Sequence, residues 1–323
     1  MKTLLLATLL AALSPWTLGV ALACNVPVFQ YALEFWDTDP YQITVRKQGE
    51  LTEDQQAAAD LLQRAADAKG SVANVNVTVV EADEEEGNAP LPGIEVRYPR
   101  TVGARPPAWT GELTLDNARA VLDSPARKKI GELLLKRQSA VWVLLDGGDR
   151  RLDDEVAATL EKALRRMEQT LELPELTEWE AAAGEIATTI DFSMVRLRRD
   201  DPAERVFVKM LLGTERDLAG FDDVPMVFPI YGRGRSLYAL VNKGINEWTL
   251  TSAGEFLVGP CSCVIKANNP GVDLLMSVDW DANVERLAPD ATEAPAGLST
   301  FLDRQAEAER HFQDEDDKTG AEK

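Results

Sequence analysis

Residues 140–145 read AVWVLL, an unbroken apolar run. A run of that length and type describes a strand buried on both faces, as in the centre of a parallel sheet. Gly147-Gly148 ends it, and Asp153-Asp154 starts a helical pattern that continues to about residue 171. DFSMVRLR at 191–198 reads as a second strand. Asp201-Pro202-Ala203-Glu204 combines an N-cap, a proline at the first helical position and a glutamate at the third. That signature opens a helix to about Gly213, with Val206, Phe207, Met210 and Leu211 facing inward. Val224-Pro225 precedes a strand at 226–231, Gly232-Arg233-Gly234 turns it into another at 236–241, and a helix follows at 250–258. Strand, helix, strand, helix, strand, strand, helix is the order of an α/β fold.

Working outward, the first half carries the same kinds of element. Phe29, Leu33 and Trp36 share one face of a short helix at 28–36, and YQITVRK at 41–47 alternates as a strand. Thr52-Glu53-Asp54-Gln55 is a capping box that opens a helix to about residue 68, closed by Lys69-Gly70. NVNVTVVE at 74–81 is the clearest strand, followed by an acidic loop at 83–87. Leu91-Pro92-Gly93 leads into a strand at 94–98, and helical periodicity runs over 113–137 with a turn near Ser124-Pro125. Beyond residue 260 come Cys261-Ser262-Cys263 and an apolar strand at 274–280. Residues 289–323 form a polar, acidic tail, helical at most over 299–310 and disordered at its end.

Composition narrows the function. The 323 residues hold 34 Lys+Arg against 54 Asp+Glu, a formal net charge of −20. Such a surface repels phosphate backbones, so nucleic acid is not an expected partner. The single histidine, His311, sits in the tail, so Ser-His-Asp and Cys-His catalysis lack a base and multi-imidazole metal sites lack ligands. Lys2, the apolar run at 4–13 and Ala21-Leu22-Ala23 read as a signal peptide over 1–23. Ser14-Pro15 breaks the apolar run, leaving it too short for a membrane span. Cleavage leaves Cys24 first, where bacterial lipoproteins are acylated. The preceding Ala21-Leu22-Ala23 is an imperfect lipobox, so a lipid-anchored and a soluble mature form both stand. A thioether lipid with an amide-linked chain would supply the two anchors that stable membrane attachment needs.

The order of elements over residues 140–258 resembles the thioredoxin fold. Val224-Pro225, Met226-Val227-Phe228 and the Gly232–Gly234 turn carry the likeness, being similar to that family's apolar residue, cis proline, strand and glycine turn. The first half is similar once its first strand is taken as missing, with Leu91-Pro92 in the proline position. The resemblance implies an α/β protein of two thioredoxin-like units in tandem, over 24–138 and 139–260, with the Cys-x-Cys and extra strand at 261–288 and the tail at 289–323. The strand at 274–280 is expected to insert as the first unit's missing strand. The whole chain also resembles an uncharacterised family of exported bacterial (lipo)proteins, including Cys24-Asn25-Val26-Pro27, Gly232-Arg233-Gly234-Arg235 and Cys261-Ser262-Cys263. That likeness implies no activity. Thioredoxin-like enzymes place Cys-x-x-Cys between first strand and first helix. Here those loops are Asp146-Gly147-Gly148-Asp149 and Cys24-Asn25-Val26-Pro27, so neither unit performs dithiol exchange by itself.

Cys261 and Cys263 are the candidate reactive pair. They would close a strained, reducible disulfide, or grip Cu(I) with Met276 as a softer third ligand; a structural staple, or a bridge to Cys24, is the plainer reading. Arg233 and Arg235 are candidate anion binders, against a plain hairpin with solvated arginine heads. The acidic run at 81–86 lacks a calcium loop's alternating ligands and reads as solvated. Trp36, Trp109, Trp142, Trp248 and Trp280 read as core or interface residues. The expected function is an exported, membrane-tethered binding or assembly module. Its partner would be an envelope protein or complex, received in a groove beside Pro92 and Pro225. The alternative is a thiol-redox or Cu(I)-handling protein.

Overall fold

A computed structural model describes residues 24–66, 73–82, 90–175, 187–261 and 265–284. The expected signal peptide, the acidic loop, Cys263 and the acidic tail lie outside them.

The chain opens with β1 (Cys24–Pro27) and α1 (Val28–Phe35). The first half then runs β2 (Tyr41–Lys47), α2 (Glu53–Ala65), β3 (Val75–Glu81), β4 (Gly93–Arg97), β5 (Trp109–Glu112), α3 (Leu115–Leu122) and α4 (Pro125–Leu135). The second half runs β6 (Ala140–Leu145), α5 (Arg150–Thr170), β7 (Phe192–Leu197), α6 (Arg205–Leu212), β8 (Met226–Tyr231), β9 (Arg235–Ser236), β10 (Leu240–Val241), α7 (Glu247–Val258), β11 (Pro260–Cys261), β12 (Val272–Asp273) and α8 (Trp280–Asn283). Side chains place several boundaries. The Thr52–Gln55 capping box is closed in both directions. Thr114 and Ser124 each cap a helix, which divides the periodicity of 113–137 into α3 and α4. Helix α5 starts earlier than Asp153 because Asp149 takes the cap, accepting from Arg151 and Leu152 N–H.

Two main sheets result. The first has order β3-β2-β4-β5, with β2 parallel to β3 and antiparallel to β4. The second has order β12-β9-β8-β6-β7, with β6 parallel to β7 and antiparallel to β8, and β10 added on β8. Strand β6 is fully buried on both faces, as its composition predicts. Its alternation divides the interior. Val141, Val143 and Leu145 join a core with β2, α2, β4, α4 and α6; Ala140, Trp142 and Leu144 join another with α1, α5 and α7.

Four expectations are corrected. The first sheet is not missing a strand: Tyr41–Lys47 is its centre, hydrogen-bonded on both sides. The segment 274–280 does not enter that sheet. Among the described residues its ladder contact with the first half is one isolated bridge, Ala73 to Ser277; side chains add to it, with Asn74 donating to Leu274 O and accepting from Met276 N–H, Arg127 donating to Leu275 O and Ser277 donating to Leu122 O. Its Leu274, Leu275 and Met276 are apolar because they are core, without being ladder. Residues 24–36 do not pack only with the first half. Strand β1 pairs with β11, and Val28, Phe29, Ala32 and Trp36 enter the second core. The strand expected at 236–241 is interrupted, its ends forming β9 and β10.

The first core also encloses a cation. Arg127 is fully buried and donates to Val121 O, Ala120 O, Leu275 O and Ser124 Oγ, with its guanidinium over Phe207. Burial pulls its pKa down to about 10, against the pull of Asp123 and Glu204, so it stays charged at neutral pH. Arg127→Ala orphans those carbonyls and is expected to lose about 3 kcal/mol of stability in urea unfolding.

Candidate functional site

The loop after β6 is where an α/β sheet of this order presents chemistry. Here Asp153, on the first turn of α5, folds back onto it. Its carboxylate oxygens accept from Gly147 N–H at 2.7 Å and Gly148 N–H at 3.0 Å. Gly147 also lies against Val224-Pro225, close enough that a Cβ there would meet Val224 Cα at 2.7 Å. Arg199 donates to Asp146 O and Val224 O, joining the same two segments. Burial raises the Asp146 carboxyl pKa although Arg196 pairs with it at 2.7 Å. The backbone donors of this loop are therefore taken by the chain's own carboxylate.

The two proline loops differ. Leu91-Pro92 is cis, and Pro92 O accepts from Leu113 N–H. Val224-Pro225 is not cis, which corrects the expectation drawn from the resemblance. Pro225 O accepts from Asn242 N–H, so the loop leading into α7 is pinned to it. On the first turn of α7 stands Trp248, 76% exposed, while Trp36, Trp109, Trp142 and Trp280 are buried.

Arg233 and Arg235 are not open anion binders. Gly232 and Gly234 both have positive φ, and their Cα atoms press on Ala32 and Met276 too closely for a Cβ. The turn thereby drives both arginines inward. Arg233 donates to Leu33 O and Glu34 O and pairs with Asp281 at 3.0 Å and Asp37 at 3.5 Å. Arg235 pairs with buried Asp273 at 2.8 Å and donates to Pro270 O and Asn269 O. Although burial opposes its charge, Asp273 holds the Arg235 pKa above its ordinary value. Both guanidiniums are internal clasps.

The cysteines are placed differently from the expected pair. Strand β1 lies antiparallel to β11 with the Cα of Cys24 opposite that of Cys261, which is buried. Cys263 lies outside the described residues. Met276 is in the first core and Cys261 in the second.

One constellation escaped the sequence reading. The stretch RYPRTVGAR at 97–105 holds three arginines and no acid in a strongly acidic chain, and that contrast was the available signal. It forms one wall of a cleft of about 470 Å³ with Gln42, Thr44 and Thr78. Compared with known proteins, the chain matches no family model, no curated sequence and no solved structure.

Removing one partner of a buried ion pair leaves an uncompensated charge. Asp273→Ala is therefore expected to lose about 3–5 kcal/mol of stability, and adding Arg235→Met to restore part of it, read by urea unfolding of the single and double variants.

Proposed function

We infer that this protein is a binding and assembly module exported to the cell envelope, built from two thioredoxin-like units and tethered by lipid on Cys24. The sheet orders support the two units. In each, a central strand (β2 or β6) has a parallel neighbour on one side and an antiparallel one on the other, and a helix (α2 or α5) connects the parallel pair. Pro92 and Pro225 each precede the third strand. This is an argument from fold, so function must come from the site.

The observation that carries binding over catalysis is the loop at 146–149. A thioredoxin-like enzyme holds its thiolate there, on amide donors. This chain has no cysteine at that place, and Asp153 occupies the amides of Gly147 and Gly148. What the Pro225 side offers instead is Trp248, an exposed aromatic on the helix whose leading loop is pinned to Pro225 O. Tryptophan is the residue type most often found to dominate a protein interface. An envelope protein docking there would cover it.

A second reading, thiol-redox chemistry, is favoured by one observation: the register that sets Cys24 opposite Cys261. The readings exclude each other at Cys24, because a thioether sulfur has no thiol left to oxidise. Intact mass of the mature chain from a native membrane extract separates them. The expected result is a chain beginning at Cys24 with lipid attached, in the membrane fraction, and released by Cys24→Ala. An unlipidated chain lighter than its reduced form by two hydrogens replaces the tether with the redox reading. A photo-crosslinker beside Trp248 is expected to capture an envelope protein, with capture lost in Trp248→Ala at unchanged Tm. Equal capture by that variant refutes docking through Trp248.

A further inference from the structure

We propose that the cleft on the polar face of the first sheet binds a small molecule bearing carboxylate or phosphate groups. Strand alternation builds its floor. Tyr41, Ile43 and Val45 of β2 point into the core, so Gln42 and Thr44 point to the other face. The ladder sets Thr44 beside Thr78 of β3, and Gln42 beside Arg97 of β4. The chain leaving β4 then bends through a short 3-10 turn at Arg100–Val102 and brings Arg100 and Arg105 to the same cavity. Its volume, about 470 Å³, suits a small-molecule site and not a folded partner.

The charge is what makes the cleft a site. The chain as a whole carries a formal −20, yet among the described residues no Asp or Glu lines this cavity and three arginines do. Arg105 is held by neutral acceptors, donating to Gly213 O at 2.9 Å, Thr214 O at 2.7 Å and Val102 O at 3.2 Å. Its guanidinium lies 5.4 Å from the Tyr98 ring centroid, and its Nε–H is buried without an acceptor. Arg105 thus brings a positive charge that no carboxylate of the fold offsets among the described residues. Arg100 is exposed and makes no ion pair with them. Arg97 is held by Glu95 in an exposed pair, the kind whose loss costs little. Near Thr101 the carboxylate is Asp39, and it is already engaged by Lys266 at 2.8 Å.

Guanidinium forks bind carboxylate and phosphate oxygens in pairs, with more strength than neutral hydrogen bonds. The hydroxyls of Thr44 and Thr78 are placed to meet the ligand's neutral oxygens, beside Gln42, whose amide donates to Pro40 O. The acidic surroundings add selectivity. They repel large polyanions while a walled positive cleft concentrates small ones. This site is separate from the surface assigned to Trp248. It also lies at the end of β2 remote from Pro92, since Gln42 pairs with Arg97 whereas Arg46 pairs with Gly93.

The test is isothermal titration of the mature chain, residues 24–323, with inorganic phosphate and with succinate at low ionic strength. At least one probe is expected to saturate with a Kd below about 1 mM, and which one does tells phosphate from carboxylate ligands. Added sodium chloride is expected to weaken it. Arg100→Ala and Arg97→Ala lie on exposed side chains, so they should keep the wild-type Tm while each weakens binding roughly fivefold or more. Arg105→Ala is set aside because Arg105 also ties the backbone at 213–214. Failure of both probes to saturate overturns the proposal. So does unchanged affinity in the folded Arg97→Ala/Arg100→Ala double variant.

Discussion

Asp273, itself buried, binds two cations and an amide. Its Oδ1 accepts from Arg235, and its Oδ2 accepts from Lys266 and from the Asp39 N–H. An isolated carboxylate at such depth costs several kcal/mol; one with every oxygen engaged is tolerated, and it dictates where its donors must sit. The Asp273 carbonyl also accepts from the Tyr41 hydroxyl. Burial, with Tyr98 and Asp273 nearby, holds the Tyr41 phenol pKa well above its ordinary value, so Tyr41 remains a donor. One residue of β12 thereby sets the point where β2 enters the first sheet relative to the β9 edge of the second.

The rest of the architecture follows from that join. Residues from both sheets share one core, which holds Tyr41 and Ile43 of the first together with Val143 and Phe228 of the second. A shared interior makes the two halves one packing problem. The turn at 232–234 belongs to the same junction. Gly232 presses on Ala32, Gly234 presses on Met276, and Arg233 reaches back to Leu33 O. The arginines of this turn hold the molecule together, whereas Arg97 and Arg100 keep their side chains exposed.

Elements with strong local chemistry were legible in the sequence. The apolar run of β6, the capping box of α2 and the Asp201-Pro202 opening before α6 each rest on contacts within a few residues, and each is present. The strand at 274–280 was misread because an apolar run records burial and not the partner that buries it. From the sequence the first sheet reads as incomplete, because nothing in β2 marks it as a central strand. Its polar alternate residues, Gln42 and Thr44, read as a half-exposed strand, and they are polar because they line the cleft. At the candidate sites, Arg233 and Arg235 were found but their direction was not, and the arginines of 97–105 were passed over.

By itself, the sequence determined an α/β protein with a net negative charge, a single histidine and no Cys-x-x-Cys in either expected loop. Those properties are sums over residue types or patterns within one turn of helix or one stretch of strand. Only the tertiary structure decided which charges are paired inside the fold and which are not. Arg235 meets Asp273 across 38 positions, and Arg105 meets Gly213 across 108. No local pattern encodes such pairings, because an arginine head at the end of its flexible stem takes its partner from whatever the packed sheets bring within reach.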